Sequence, residues 1–333
     1  MQTSPLSITI VTPAARGSRA GNRVSALRYA WLFEELGLTA RVQSRWDGRQ
    51  EDVLVVLNAQ RCAKTVLRAR KLQPQLPIIV VVTGTDVYEH LGKSQRMERA
   101  LDAADWIVGL QADSVRRLPV RWRRKARVIL QSYSGPALVW KAPLHGTRFL
   151  VLGHLRTQKD PFRAALAARL LPADSSVLVQ HAGQALSPAM ARRARSEMQK
   201  NLRYQWLGEL PRSRGLARLA RASAMILTSR SEGGPGVFSE AIALGVPILA
   251  SRIPASLAIL GERHPGLFAL GNQRELAALM RRIELEPRFL ARLAAYSRRL
   301  APRVDPAREL GAWQRLLAPV RAAALRKSAR SAD

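Results

Sequence analysis

The chain has 333 residues, more than one hydrophobic core usually organises, so two domains are expected. Apolar residues make up 47% of it, which excludes global disorder. The longest apolar runs have the length of a strand, far below the ~20 residues of a membrane-spanning helix. The 54 lysines and arginines exceed the 24 acidic residues, giving a net charge of +30 that attracts anions without determining a fold.

One cysteine, Cys62, excludes an internal disulfide, and no cysteine or histidine pair has the spacing of zinc ligands. We therefore expect no structural metal. The N-terminus lacks the features of a signal peptide, so we expect a cytoplasmic protein. Nucleic-acid binding is not expected, because aromatic residues are only 5% and the arginines are spread over many segments. The densest basic cluster, residues 115–127, is interpreted as a helix end and loop.

Short apolar segments alternate with longer amphipathic segments along the chain, which is typical of βαβ units. Strands are predicted in the first half at residues 8–12, 39–43, 53–57, 78–82, 106–109 and 127–130. The second half repeats the pattern at residues 148–152, 177–180, 203–206, 224–228, 247–250 and 267–270. Their continuous apolar character indicates parallel sheets that are covered on both faces.

Residues 131–147, rich in proline, glycine and serine, are interpreted as a linker between the two sets. The sequence therefore predicts an α/β protein with two doubly wound, Rossmann-like domains, residues 1–143 and 144–300. Ligands of such folds bind at the carboxyl ends of the strands, so a cleft between the domains is the expected site. Apolar residues at helical spacing from Leu310 to Leu325 predict a C-terminal helical segment, residues 301–333.

Four turns from strand to helix carry the candidate ligand-binding residues. The first, residues 12–30, places glycines and arginines before a helix that is predicted to begin after Asn22. Unpaired N–H groups at a helix start attract an anion, while the alternative interpretation is a glycine turn with an ordinary cap. The candidate anion ligands in this turn are Arg16, Ser18, Arg19, Gly21, Asn22 and Arg23.

The second and third turns follow strands in different halves of the chain. His154, Arg156 and Lys159 lie between a strand and a helix, where cations suit a diphosphate, although an exposed polar loop explains them equally simply. In the third turn Thr85 and Asp86 follow the strand at residues 78–82. Asp86 is interpreted with equal weight as a helix N-cap and as a functional carboxylate.

The fourth turn, within residues 224–251, places Glu232 and Glu240 on either side of a glycine loop that enters a helix. A carboxylate at the start of such a helix is a common way to hold the hydroxyl groups of a ribose, which favours this role for Glu240. Glu232 precedes the tight turn, where it can accept bonds from sugar hydroxyls. The alternative is an ordinary acid of the first helical turn and a loop acid.

This fourth turn resembles the signature of the family-four GT-B nucleotide-sugar glycosyltransferases. Two glutamates, Glu232 and Glu240, are separated by seven residues, and the second begins the segment EAIALGVPILA at residues 240–250. The resemblance implies two Rossmann-like domains facing a central cleft and a C-terminal segment that packs on the first domain. It also implies that Glu240 binds the ribose, that Glu232 and residues 233–237 meet the donor sugar and diphosphate, and that Lys159 binds the diphosphate.

The family usually has an arginine where this chain has His154, and we expect Arg156 to substitute for it. The donor-binding residues that the resemblance implies are Gly153, His154, Leu207, Gly208, Arg230, Gly233, Gly234, Pro235, Gly236, Val237 and Glu240.

Several segments together, among them TPAARGSRAGNRVSALR, TGTDVY and VLGHLR, resemble the selenosugar synthases of selenoneine biosynthesis. The resemblance implies that the sugar of UDP-N-acetylglucosamine or UDP-glucose is joined to the selenium of selenophosphate, with a functional link to a downstream selenoneine-forming enzyme. No metal or other cofactor is expected. The acceptor set is then the first-turn residues with Thr85, and the catalytic set is Arg156, Lys159, Glu232 and Asp86, the last to orient water.

Three alternatives remain open at this point. A general GT-B enzyme would transfer a hexose to a hydroxyl group of a lipid or saccharide, a sensor would bind the sugar nucleotide without turnover, and a nucleic-acid-binding protein would use its charge.

Overall fold

The structure of the protein, a computed structural model, describes residues 5–330, with side chains through residue 326. Two compact units make up the chain. The first combines the described residues up to Ser134 with those from Pro306 onward, and the second is Gly135–Asp305. The domain boundaries expected from the sequence, after residues 143 and 300, stay predictions beside these units.

The first unit contains a six-stranded parallel sheet in the order β2-β1-β3-β4-β5-β6. Its strands are β1 Ser7–Val11, β2 Thr39–Gln43, β3 Val53–Leu57, β4 Ile78–Val82, β5 Trp106–Gly109 and β6 Ala126–Val128. Its helices before the second unit are α1 Gly21–Glu35, α2 Ala59–Leu72, α3 Gln95–Ala103, α4 Ala112–Arg116 and α5 Val120–Arg123, with a π-helical turn at Asp86–His90.

The second unit repeats the architecture with a six-stranded parallel sheet in the order β12-β11-β10-β7-β8-β9. Its strands are β7 Thr147–Leu152, β8 Val177–Ala182, β9 Tyr204–Trp206, β10 Ala224–Leu227, β11 Ile248–Ser251 and β12 Leu267–Phe268. Its helices are α6 Arg163–Ala168, α7 Pro188–Lys200, α8 Arg212–Leu219, α9 Gly236–Leu244, α10 Pro254–Leu260, α11 Gln273–Leu285 and α12 Pro287–Leu300. Short 3-10 turns lie at Thr157–Lys159 and Ala301–Val304.

All twelve strands expected from the apolar runs are present, and their pairing is parallel as predicted. In the first unit, β3 and β4 are buried at every residue, because helices cover both faces of the sheet. Alternate residues of β3 join different apolar clusters: Leu54 and Val56 pack with α2 and α3, while Val53, Val55 and Leu57 pack with α1.

The chain ends in a long helix, α13 Pro306–Arg330, that belongs to the first unit. Trp313 of α13 is fully buried, with its ring edge against Tyr29 at 5.2 Å and Phe33 at 5.0 Å between centroids. Glu309 binds the guanidinium of Arg28 and accepts a hydrogen bond from the backbone N–H of Ser132. The last helix thus completes a core that begins near the N-terminus.

Candidate functional site

The second and fourth sequence turns lie side by side in the second unit. They follow β7 and β10, which are adjacent parallel strands, so both turns emerge at the same edge of the sheet. Thr228 Oγ1 donates to the carbonyls of Lys159 at 2.8 Å and Asp160 at 3.0 Å. The Arg230 backbone N–H donates to the carbonyl of Gln158 at 2.7 Å. The two loops therefore form one surface.

This surface brings Lys159 and Glu232 into direct contact. Lys159 Nζ forms an ion pair with Glu232 Oε1, and Ser229 Oγ donates to the same oxygen at 2.6 Å. The side chains of Lys159 and Glu232 are 21% and 9% exposed, so the pair is largely shielded from solvent. A shielded ammonium and carboxylate interact more strongly than an exposed pair, and the ammonium of Lys159 is also of a kind that can bind an anionic ligand.

A buried histidine supports the Gly153 turn from below. His181, on β8, has Nε2 at 2.9 Å from the Gly153 carbonyl and Nδ1 at 3.1 Å from the Tyr204 hydroxyl. Burial lowers the pKa of His181 to about 4, against the opposing effect of its hydrogen bond to Gly153. The ring is therefore neutral near pH 7, and the contact with a carbonyl places its proton on Nε2. His181 holds the turn in position.

Gly183 lets a second loop approach the Gly153 turn closely. A Cβ atom at Gly183 would lie 1.9 Å from the Gly153 carbonyl oxygen, which no real contact allows. The Gly183 N–H donates to the Gly208 carbonyl at 2.7 Å, and Gly208 itself has a φ of +69° that favours glycine. Leu207 donates its N–H to the His181 carbonyl at 2.9 Å. Leu207 and Gly208 thus brace the same turn.

We expect Gly183→Ala to displace the Gly153 turn, because the added methyl group overlaps backbone atoms that cannot move independently. The variant should lose about 1–3 kcal/mol of unfolding free energy, as measured by denaturant unfolding. Gly215→Ala is the control, since the nearest atom to its Cβ would be Leu152 Cδ2 at 3.9 Å. Wild-type stability in Gly183→Ala would show that the Gly153 turn does not depend on the close approach of Gly183.

Glu240 is the fifth residue of α9, beyond a loop in which Gly233 and Pro235 are buried and Gly236 is exposed at the helix start. Arg212 Nε donates to Glu240 Oε1 at 3.1 Å, and Arg212 Nη2 lies 3.0 Å from the same oxygen. Burial raises the pKa of the Glu240 carboxyl, and Arg212 opposes that shift. The carboxylate is 20% exposed and so remains reachable by a ligand.

The remaining donor candidates lie on the same loops. Arg156 is half-buried, its carbonyl accepts from the Lys159 N–H at 2.9 Å, and its side chain has no hydrogen bond or ion pair with a described residue. His154 Nδ1 accepts from the Gln184 N–H at 3.2 Å, Arg230 is exposed, and Gly234 and Val237 are half-buried.

The first turn, in the other unit, precedes α1 and is mostly exposed. Arg16, Arg19 and Gly21 are exposed, Ser18 Oγ accepts from the Ala20 N–H at 3.1 Å, and Asn22 is half-buried. Arg23 differs from them, since it is only 8% exposed and its buried Nε has no hydrogen-bond partner among the described residues. A buried N–H donor without a partner is costly in free energy, which makes Arg23 the strongest candidate anion ligand of this turn.

The carboxylate of Asp86 binds the start of a helix that begins in a different loop. Its carboxylate accepts from the backbone N–H groups of Ala59 and Gln60 in the first turn of α2, and from both the N–H and the hydroxyl of Thr83. Asn58, with φ of +68°, donates to the hydroxyls of Thr83 and Thr85. Burial raises the pKa of Asp86, which those hydrogen bonds oppose. Asp86 thus satisfies the first amides of a neighbouring helix and is not itself an N-cap residue, since Asn58 is the N-cap of α2 and Thr85 precedes the turn that Asp86 begins. Orientation of water by Asp86 stays a prediction.

Sequence reasoning did not single out four residues that organise the site, Arg212, His181, Gly183 and Ser229. Arg212, His181 and Gly183 act through partners far away in the sequence, which no local motif reveals, whereas Ser229 donates to Glu232 within the same loop. One feature of the sequence could have drawn attention to Arg212. It is a cation at the start of a helix, where the helix dipole disfavours positive charge, so a partner for it is expected.

Within residues 5–330, no group of three or more His, Cys, Asp and Glu side chains is arranged to hold a metal ion. In that same part of the chain, none of the helices combines the length and the apolar character that crossing a membrane requires.

The fold is GT-B, with two parallel-sheet Rossmann-like units. Residues 140–300 match the sequence profile of the family described as "Glycosyl transferases group 1". A curated relative, glycosyltransferase 1 domain-containing protein 1 of Xenopus tropicalis, is 22% identical over 308 residues, covering 85% of this chain and 89% of the relative. Residues 140–300 therefore resemble the group 1 glycosyl transferases, and the similarity to solved structures is one of fold.

Solved structures share the architecture at low sequence identity. Sucrose-phosphate synthase from Thermosynechococcus elongatus has a TM-score of 0.78 at 14% identity, covering 96% of this chain and all of that one. Anabaena HepE in complex with UDP and glucose has a TM-score of 0.72 at 15% identity, covering 94% of this chain and 100% of HepE.

Proposed function

We propose that the protein is a glycosyltransferase that joins the sugar of UDP-N-acetylglucosamine or UDP-glucose to the selenium of selenophosphate and releases UDP and phosphate. The observation that carries the donor half is the meeting of Lys159 and Glu232 on two loops at one sheet edge. HepE, which shares the fold, was solved with UDP and with UDP-glucose, and this supports a uridine nucleotide as donor carrier.

The donor residues divide by charge. Lys159, Arg156 and the backbone N–H groups at the start of α9 are suited to neutralise the diphosphate as the C1–O bond breaks. When the diphosphate takes Lys159 from its ion pair, Glu232 is left to accept hydroxyl groups of the sugar. Glu240 binds the hydroxyl groups of the ribose. This division accounts for acidic residues at a site that binds phosphates.

The acceptor half rests on Arg23 and on the resemblance to selenosugar synthases. Arg23 lies in the first turn of α1, a helix whose first turn has no acidic residue and whose N-cap side chain makes no hydrogen bond. Arg16 adds an exposed cation that is unpaired among the described residues. A helix start, a buried guanidinium and a nearby cation together favour a small anion over a neutral hydroxyl acceptor.

The proposed reaction has two steps. A selenium lone pair attacks C1 of the sugar, the C1–O bond breaks, and its electrons leave with UDP. Water then attacks phosphorus, the selenium–phosphorus bond breaks, and the selenosugar and phosphate are released. Because the attacking selenium is already anionic, the first step needs no general base, whereas a hydroxyl acceptor would need one.

The direct test is to incubate the protein with each UDP-sugar, with and without selenophosphate. We expect mass spectrometry to show a selenium-containing sugar and UDP in equal amounts, and UDP release to depend on selenophosphate. If UDP release ignores selenophosphate and a lipid or saccharide hydroxyl accepts the hexose, the protein is a hydroxyl-directed GT-B glycosyltransferase. DNA binding that survives competition by UDP, without turnover, would reject both.

We expect Arg23→Met to stabilise the protein and to weaken the binding of the acceptor, selenophosphate. Methionine removes a buried nitrogen, Nε, that has no hydrogen-bond partner among the described residues, so the unfolding free energy should rise on the order of 1–3 kcal/mol. The KM for selenophosphate should rise, with the KM for the UDP-sugar unchanged. Arg61→Met, which removes an exposed arginine of the same unit, should change neither quantity. Destabilisation by Arg23→Met together with an unchanged selenophosphate KM would contradict an anion role for Arg23.

A further inference from the structure

A second ion pair holds the carboxylate of Glu240, which we propose binds the hydroxyl groups of the ribose. Arg212 directs both Nε and Nη2 to a single oxygen, Oε1 of Glu240, at 3.1 and 3.0 Å. The other oxygen, Oε2, makes no hydrogen bond with a described residue and is not sealed from solvent. One oxygen of Glu240 is therefore anchored, and the other is available to a ligand.

The position of Arg212 is unfavourable for its own helix. It is the first residue of α8, which has no acidic residue in its first turn and no side-chain N-cap. The positive end of the helix dipole repels a cation at this position. The pairing with Glu240 compensates for that repulsion, and it links α8, which follows β9, to α9, which follows β10. The favourable contact of Arg212 in this structure is therefore the one with Glu240, not one with the start of its own helix.

We propose that Arg212 is a positioning residue that fixes the rotamer of Glu240 and presents Oε2 to the ribose hydroxyl groups of the donor nucleotide. The proposal rests on the ribose role of Glu240 that the proposed function assigns. The hydrogen bond from Nε and the close ionic contact of Nη2 restrict rotation of the carboxylate before the nucleotide arrives. A ligand group that is already held in its productive geometry loses less freedom on binding.

Arg212 also keeps Glu240 ionised. Among the described residues Arg212 is the charged group that acts on this carboxyl, and α9 has no other ionisable residue. Burial raises the pKa of Glu240 and Arg212 lowers it. Without the guanidinium the carboxyl would take up a proton at a higher pH, and the protonated form is a weaker acceptor. UDP affinity in Arg212→Gln should thus begin to fall, as the pH decreases, at a higher pH than in the wild type.

The experiment is calorimetric titration with UDP at a series of pH values from neutral to acidic. We expect Arg212→Gln to raise the Kd for UDP about tenfold, the effect of losing one well-placed charged contact, with a larger increase at acidic pH. Arg212→Lys should restore part of the affinity and the wild-type pH dependence, because it keeps the charge. The matched control is Arg214→Gln, which removes an exposed arginine from the same helix.

Glu240→Ala separates this inference from the proposed function. If Glu240→Ala binds UDP as tightly as the wild type, the ribose role fails and the positioning role falls with it. If Glu240→Ala binds weakly while Arg212→Gln matches the wild type in Kd and pH dependence, the positioning role alone is rejected. Should Arg212→Gln fail to fold, wild-type UDP affinity in both Arg212→Lys and Arg212→Met would overturn the inference.

Discussion

Replacing Lys159 with methionine is expected to lower kcat for donor turnover on the order of 100-fold, because the departing diphosphate loses a charged group that stabilises it. Methionine keeps most of the side-chain volume and removes the ammonium. The change also leaves Glu232 shielded and without its cation, so some loss of stability is expected as well. Steady-state kinetics with UDP-sugar and selenophosphate, together with denaturant unfolding, measure the two effects.

The double variant Lys159→Met, Glu232→Gln distinguishes stability from chemistry. It removes both charges of the pair and should recover stability relative to Lys159→Met without recovering kcat. Lys200→Met, at the exposed end of α7, is the control for loss of a lysine from the same unit. If the double variant has the kcat of the wild type, Lys159 stabilises the fold and takes no part in the departure of the leaving group.

Asp86→Ala should destabilise the first unit on the order of 3 kcal/mol, because several buried N–H groups lose their acceptor at once. The groups are the Ala59, Gln60 and Thr83 amides, and the Thr83 hydroxyl loses its acceptor with them. Calorimetric unfolding and hydrogen exchange at the start of α2 measure the loss.

Asp86→Asn refines this prediction. The side-chain amide keeps one acceptor oxygen, but its NH2 group faces N–H and O–H groups that are themselves donors. We expect it to be less stable than the wild type and more stable than Asp86→Ala. Asp47→Ala, at an exposed loop carboxylate, should change stability little. An Asp86→Ala protein with wild-type stability and greatly reduced turnover would instead establish the water-orienting role.

The strands were predictable because a parallel strand buried on both faces needs an uninterrupted apolar run, as in residues 53–57 and 78–82. The meeting of Lys159 and Glu232 also follows from sequence, in outline. Both residues come after predicted strands, and adjacent parallel strands end at the same edge. Their direct pairing required coordinates, because it depends on the order β10-β7-β8, which hydropathy does not encode.

Other features left no readable trace in the sequence. Asp86 binds backbone N–H groups of α2, and any residue can supply such a group, so the partner has no signature. The closeness of Gly183 to Gly153 is likewise a backbone contact. Arg23 was predicted as one of six anion ligands, but its burial, which distinguishes it from the others, arises from tertiary packing around the start of α1.

The position of Trp313 between Tyr29 and Phe33 has a consequence for biosynthesis. Residues 135–305 form a continuous stretch and can fold once they leave the ribosome, whereas the first unit waits for α13, which follows the second unit in the sequence. Until α13 emerges, the rings of Tyr29 and Phe33 lack the Trp313 side chain that they contact. A chain truncated before Pro306 would therefore contain a complete second unit and an incomplete first one.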